Sequence, residues 1–115
     1  MSVTIYHNPR CGKSRLTLQL LQQQGIEPVI IEYLKTPPSV DDLDDILQKL
    51  AMEPRELMRN KEADYKTCGL DNAALNRQAL IQAMVTHPIL IERPIVIANG
   101  KAAIGRPPEA VLDIL

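Results

Sequence analysis

At 115 residues the chain suits one domain and is short for two of ordinary size, so a single domain over residues 1–115 is expected. Apolar residues at 45% and charged residues at 23% are ordinary for a folded protein and argue against disorder. Thirteen Lys and Arg against fourteen Asp and Glu leave a net charge of −1, and aromatics are only 3% with no Phe or Trp. Neither a field for nucleic acid nor a base-stacking surface follows from such a composition, and the core must be aliphatic.

The predicted elements begin with Val3, Ile5 and Tyr6, a β-prone run that stops at His7-Asn8-Pro9. Leu16, Leu20 and Leu21 then fall at helical spacing, and Gly25 with Pro28 closes that helix. Val29-Ile30-Ile31 is an all-apolar run of the kind a buried strand uses. Ser39 suits an N-cap with Asp42 in capping-box position, followed by an apolar face of Val40, Leu43, Ile46, Leu47 and Leu50. The aspartates at 41, 42, 44 and 45 read as a solvated first turn rather than a metal site.

The middle third is helical but less regular. Arg55 to Arg59 reads as a short helix and Asn76 to Val85 as a longer one, with Leu80, Ala83 and Met84 inward and His87-Pro88 as its stop. Ile89-Leu90-Ile91 and Ile95-Val96-Ile97 are strand-like, Asn99-Gly100 is a two-residue hairpin signal, and Lys101 to Ile104 is the returning strand. Pro107-Pro108 opens a last helix carrying Val111, Leu112 and Leu115. The order is β-α-β, a helical insertion, then β-β-α. It implies an α/β, thioredoxin-like fold: a four-stranded mixed sheet flanked by helices.

No signal segment is visible at the N-terminus and the longest apolar runs are of strand length, so a cytoplasmic protein without a membrane span is expected. In that setting Cys11 and Cys68 stay reduced.

Chemistry concentrates in the segment His7 to Arg15. Cys11 falls at or just before a helix N-terminus, where unpaired N–H groups favour an anion. The first 26 residues carry Arg10, Lys13 and Arg15 but no acid, so Cys11 is expected to be a thiolate at neutral pH. Cys68 lacks these features and reads as a small packed residue. Cys11-Gly12-Lys13-Ser14 has Cys-x-x-Cys spacing with serine in the second place, so an oxidised Cys11 must be resolved by an external thiol or by Cys68. The phosphate loop of tyrosine phosphatases is ruled out, because its arginine position is Thr17 here. Arg93 before Pro94 and Arg106 before Pro107 place two arginines in loops at the ends of adjacent strands; the likeness to thioredoxin-like folds, where the proline at this point is cis and faces the active cysteine, implies the same for Pro94. Arg59 ends the short helix of the insertion.

The combination of His7-Asn8-Pro9-x-Cys11-Gly12-x-Ser14-Arg15, Tyr33-Leu34-x-Thr36-Pro37-Pro38, His87 to Val96 and Arg106-Pro107 resembles the glutaredoxin-coupled arsenate reductases along essentially the whole chain. The resemblance implies that Cys11 is the nucleophile and that Arg59, Arg93 and Arg106 hold the arsenic oxyanion. It associates His7 with lowering the cysteine pKa, with Ser14 and Arg15 beside it in the same loop. It also implies arsenate as substrate, glutathione as co-substrate, glutaredoxin as partner, and no bound cofactor or metal. Lys13, where a Thr is familiar, and the segment Asn60 to Asp71 depart from the family pattern. A monomer is expected, since no exposed apolar helix is evident. Two other readings share the fold: a monothiol glutaredoxin-like reductase of disulfides, and a non-catalytic regulator that contacts RNA polymerase.

Overall fold

Along the first strand, β1 (Val3–His7), residues 3, 5 and 7 share one face and residues 4 and 6 the other. β1 runs parallel to β2 (Val29–Glu32) and antiparallel to β3 (Ile95–Ala98), which turns into β4 (Lys101–Ile104). The strand order is therefore β2-β1-β3-β4, a mixed sheet of four strands. Asn99 and Gly100 turn the hairpin with φ of 56° and 72°, the left-handed pair that a two-residue turn requires. Between β1 and β2 runs α1 (Gly12–Gln23), which ends ahead of Gly25 at φ 77°.

The computed structural model describes residues 2–115, and its contacts group them into two units. The first comprises the chain through Thr36 together with Arg93–Leu115. Its core joins Val3 and Ile5 of β1, Val96 and Ala98 of β3, Leu21 of α1, and Val111 and Ile114 near the C-terminus. Val3 pairs with Ala98 and Ile5 with Val96 across the strands, so the sheet presents one continuous aliphatic face. Burying each of the larger side chains is worth about 1.5–3 kcal/mol.

Two expectations for this unit are corrected. Val29 and Ile30 are not buried; they are 57% and 47% exposed, because β2 lies at the sheet edge. An apolar run reports strand character but not which neighbours cover it. The last helix is a 3₁₀ helix over Pro108–Ile114. Three residues per turn put Val111 and Ile114 on the buried side and leave Leu112 38% exposed.

The second unit is the helical insertion Pro37–Glu92. It holds α2 (Val40–Leu50), α3 (Pro54–Leu57), α4 (Ala63–Thr67) and α5 (Arg77–Thr86). The Ser39 Oγ caps α2 by accepting the Asp42 N–H at 3.1 Å, and Leu43, Ile46 and Leu47 bury its apolar face. Asn76 caps α5 in the same way through Ala79, at 2.9 Å. Inward residues of α5 are Leu80, Ile81 and Met84; Ala83, expected inward, is only half-buried.

The short helix stops at Leu57, so Arg59 lies beyond it, its N–H donating to the Leu90 carbonyl at 2.7 Å. Nor do residues 89–91 form a strand. Pro88–Leu90 is a 3₁₀ turn, with Ile91 in an isolated bridge to Met58. The Arg55 guanidinium binds the carbonyls of Leu70 at 2.6 Å and Asn72 at 2.7 Å, pinning the segment that contains α4. Among the described residues, no helix is long and apolar enough to cross a membrane.

Candidate functional site

The turn from β1 into α1 is held by its own polar groups. The Asn8 carbonyl accepts the Cys11 N–H at 3.0 Å, and the Asn8 side chain accepts the Arg10 N–H at 3.0 Å. The Asn8 N–H donates to the Ser14 hydroxyl at 3.0 Å, and that hydroxyl lies 2.7 Å from His7 Nδ1. The hydroxyl donates to Nδ1 in the tautomer that carries its proton on Nε2, and accepts from Nδ1–H in the other. His7 follows Ile5 onto the α1 side of the sheet and is buried. Burial lowers its pKa below the usual value of 6.5, the Glu32 carboxylate opposes that shift, and the Arg15 cation adds to it. Neutral His7 can accept the proton of Ser14; the charged ring could not. Arg15 itself donates to the Pro9 carbonyl at 3.0 Å, bracing the same turn from outside.

Cys11 is the N-cap of α1, with extended backbone and 9% exposure. Its carbonyl already accepts the Arg15 N–H at 3.0 Å, while the N–H groups of the first turn point toward the helix start. From the other end of the unit, Arg106 Nη2 reaches 3.8 Å from Cys11 Sγ. Arg106 Nε donates to the Arg93 carbonyl at 2.9 Å, which ties the two arginine loops together. Both Arg93–Pro94 and Arg106–Pro107 are cis peptides. The structure thus brings Cys11, His7, Ser14, Arg15, Arg93, Pro94 and Arg106 into one unit, with Arg106 at the sulfur.

Gly105 is a site residue that the sequence reading missed. Its N–H donates to the Pro94 carbonyl at 2.9 Å, and a Cβ there would lie 2.7 Å from Pro94 Cγ and collide with the Thr17 hydroxyl. Only glycine lets β4 pass this close to α1 and set Arg106 beside Cys11. The signal was a glycine directly before an Arg-Pro step. Thr17, fully buried, donates to the Lys13 carbonyl at 2.8 Å and forms the floor of that approach.

Arg59 belongs to the second unit, where it pairs with Glu62 at 2.7 Å and lies 3.8 Å from Glu92. Cys68, in the same unit, caps the C-terminal end of α4, and both cysteines are free thiols. Among the described residues, no cluster of three His, Cys, Asp or Glu is arranged to hold a metal ion.

A model described as the ArsC family matches residues 6–114. An uncharacterized protein of Escherichia coli K12, YfgD, is 58% identical over 114 residues, 98% of this chain and 96% of that protein. A Haemophilus influenzae protein named arsenate reductase is 53% identical and aligns over the full length of both chains, 100% of each. A solved structure, the arsenate reductase from Vibrio cholerae, superposes with a TM-score of 0.97 at 56% identity, covering 100% of this chain and 98% of that one. The four-stranded mixed sheet and its flanking helices have the architecture of that structure.

Proposed function

Because the chain belongs to the ArsC family, we propose that it reduces arsenate to arsenite with Cys11 as nucleophile, in the cytoplasm and as a monomer. The observation that carries this reading is the Arg106 guanidinium 3.8 Å from the sulfur of a helix-capping cysteine. A planar cation and the N–H groups of a helix start are the two donors that suit a tetrahedral oxyanion. Relatives named arsenate reductase, such as that of Haemophilus influenzae, supply the substrate class.

In the first step the Cys11 sulfur forms a bond to arsenic and an oxygen leaves as hydroxide or, once protonated, as water. Arg93 and Arg106 stabilise the charge on the remaining oxygens and on the departing one. Glutathione then approaches the Cys11–arsenic adduct. Its sulfur bonds to the Cys11 sulfur, the Cys11–arsenic bond breaks, and the pair of that bond stays on arsenic, which passes from pentavalent to trivalent. The thiol proton leaves with an arsenite oxygen. A glutaredoxin thiol takes the glutathionyl group from the mixed disulfide and returns Cys11. No bound cofactor enters this scheme. His7, Ser14 and Arg15 hold the Cys11 turn, Pro94 positions the Arg93 loop, and the resemblance gives Arg59 a share in binding the oxyanion.

The test is arsenate-dependent NADPH oxidation with glutathione, glutaredoxin and glutathione reductase, run beside Cys11→Ser. Turnover that needs arsenate, glutathione and Cys11 is the expected result. Reduction of a mixed glutathione disulfide without any arsenate turnover would replace this reading with a general thiol-disulfide reductase.

A further inference from the structure

Beside the Cys11 turn, within the first unit, lies a cleft of about 250 Å³. One wall is the turn itself, residues 7–10, and the other is Glu32, Leu34 and Lys35 at the end of β2. The parallel register that pairs His7 with Glu32 sets these walls side by side, about 4.8 Å apart at their roots. Both walls are fixed before any ligand arrives. Asn8 and Ser14 hold the first, and the Glu32 carbonyl accepts the N–H groups of Lys35 and Thr36, each at 2.9 Å, to hold the second. Pro9 and Leu34 are exposed apolar surface, Arg10 and Lys35 are exposed cations, and Glu32 is the one carboxylate. Lys35 and Glu32 are 3.6 Å apart with the lysine side chain 80% exposed, so their pairing is weak enough to yield to a ligand.

We propose that this cleft is the binding site for the peptide portion of glutathione, which would seat its thiol toward the residue next in the chain after Arg10. The inference rests on the arsenate reductase reading for the identity of the thiol. It rests on the cleft for the place. Two cations, one carboxylate and an apolar patch are the complement of a small peptide with two carboxylates, one ammonium and short methylene stems. The wall formed by residues 7–10 runs directly into Cys11, whose Cα is about 3.8 Å from that of Arg10, so a ligand against that wall lies beside the residue that carries the thiol. The volume is slightly below the roughly 300–1,000 Å³ of ordinary small-molecule sites, which suits a ligand that is partly outside and soon tethered through sulfur. A second cleft of this unit, about 260 Å³ against Leu16, Leu20, Pro108 and Glu109, offers a carboxylate and no cation, and so does not suit an anionic peptide.

The test uses the full chain with the paired variant Leu34→Glu and Lys35→Glu, neither of which is assigned to arsenate or to Cys11. In the coupled assay the KM for glutathione should rise about tenfold, while kcat at saturating glutathione and the KM for arsenate stay within about twofold. Titration of the wild-type protein with S-methylglutathione, which cannot react, should shift the amide resonances of Arg10, Leu34 and Lys35, and the paired variant should lose those shifts. An unchanged glutathione KM together with unchanged shifts overturns the site while leaving arsenate reduction standing. A raised KM for arsenate alone overturns it too, since the cleft would then serve the oxyanion. Absence of arsenate turnover with the S-methylglutathione shifts intact removes the arsenate reading and retains the site.

Discussion

Cys11 and Cys68 are the same side chain at opposite kinds of helix end, one before α1 and the other after α4. Cys11 precedes the first turn of the twelve-residue α1, where backbone N–H groups point outward, and Arg106 Nη2 lies 3.8 Å from its sulfur. Cys68 follows the last turn of the five-residue α4, where carbonyls point outward. The helix ends alone favour an anion at the first position and disfavour one at the second. Their supports differ as well. α1 buries Ser14, Thr17 and Leu21, whereas α4 buries no residue and is held by the Arg55 clamp on the chain around it. A thiol becomes useful through the helix terminus and cation it meets and through the rigidity beneath it.

The largest expected effect breaks this comparison outright. Cys11→Ser should abolish arsenate turnover, and Cys68→Ser should leave kcat and KM within about twofold of the wild type. Loss of activity in the Cys68 variant would make it the resolving thiol and undo the contrast. Next in size is Arg106→Ala, which removes the cation at the sulfur and should lower kcat/KM by about 100–1,000-fold. Arg106→Lys should recover little of that, because one ammonium cannot reach the sulfur and also donate to the Arg93 carbonyl as Nε does at 2.9 Å. Near wild-type kinetics in either variant would mean that the contact at Cys11 has no part in the reaction.

A smaller effect separates the supports. Leu21→Ala should cost about 2–5 kcal/mol of folding stability, since that side chain is fully buried in the core joining α1 to the sheet. The exposed Lys66→Ala in α4 should cost less than about 0.5 kcal/mol. Denaturant unfolding of both variants measures the difference. Equal losses would show that the two helices are anchored alike.

The same contrast decides what was legible in the sequence. β1, the Cys11 turn and α1 announce themselves through local rules: the β-prone run Val3 to Tyr6, the turn at Asn8-Pro9, and apolar spacing closed by Gly25. The hairpin at Asn99-Gly100 is equally local. What stayed hidden depends on partners distant in the chain. Nothing in Val29-Ile30 says that β2 lies at an edge, and nothing in Ile89 to Ile91 says that a proline-started 3₁₀ turn will replace a strand. α4 buries none of its residues, and the chain after it is pinned by Arg55 at Leu70 and Asn72, a long-range hydrogen-bonding fact with no periodic signature. In the site, cysteine and arginines were readable by type. Gly105 had only its place before the Arg-Pro step as a signal, because the space it leaves is bounded by Thr17 and Pro94, both distant in the chain.

The smallest effect concerns His7, the buried group under the Cys11 turn. Its pKa in the folded chain lies below 6.5, with burial as the main cause. Between the lowered value and 6.5 the unfolded chain therefore binds more protons, and stability must rise with pH across that window. The contribution is complete above 6.5 and is lost as pH falls through the folded value. Protonation also makes Nδ1 a donor, so the Ser14 oxygen must accept from both Asn8 and His7 and turn its own proton elsewhere, which re-forms the hydrogen bonds under the turn that carries Cys11. Thermal unfolding from about pH 7.5 to about pH 5.5 should show the wild type losing stability more steeply than His7→Gln, which cannot titrate. Parallel slopes in the two proteins would mean that His7 is equally content charged, and that the turn under Cys11 is held by Asn8 and Ser14 without it.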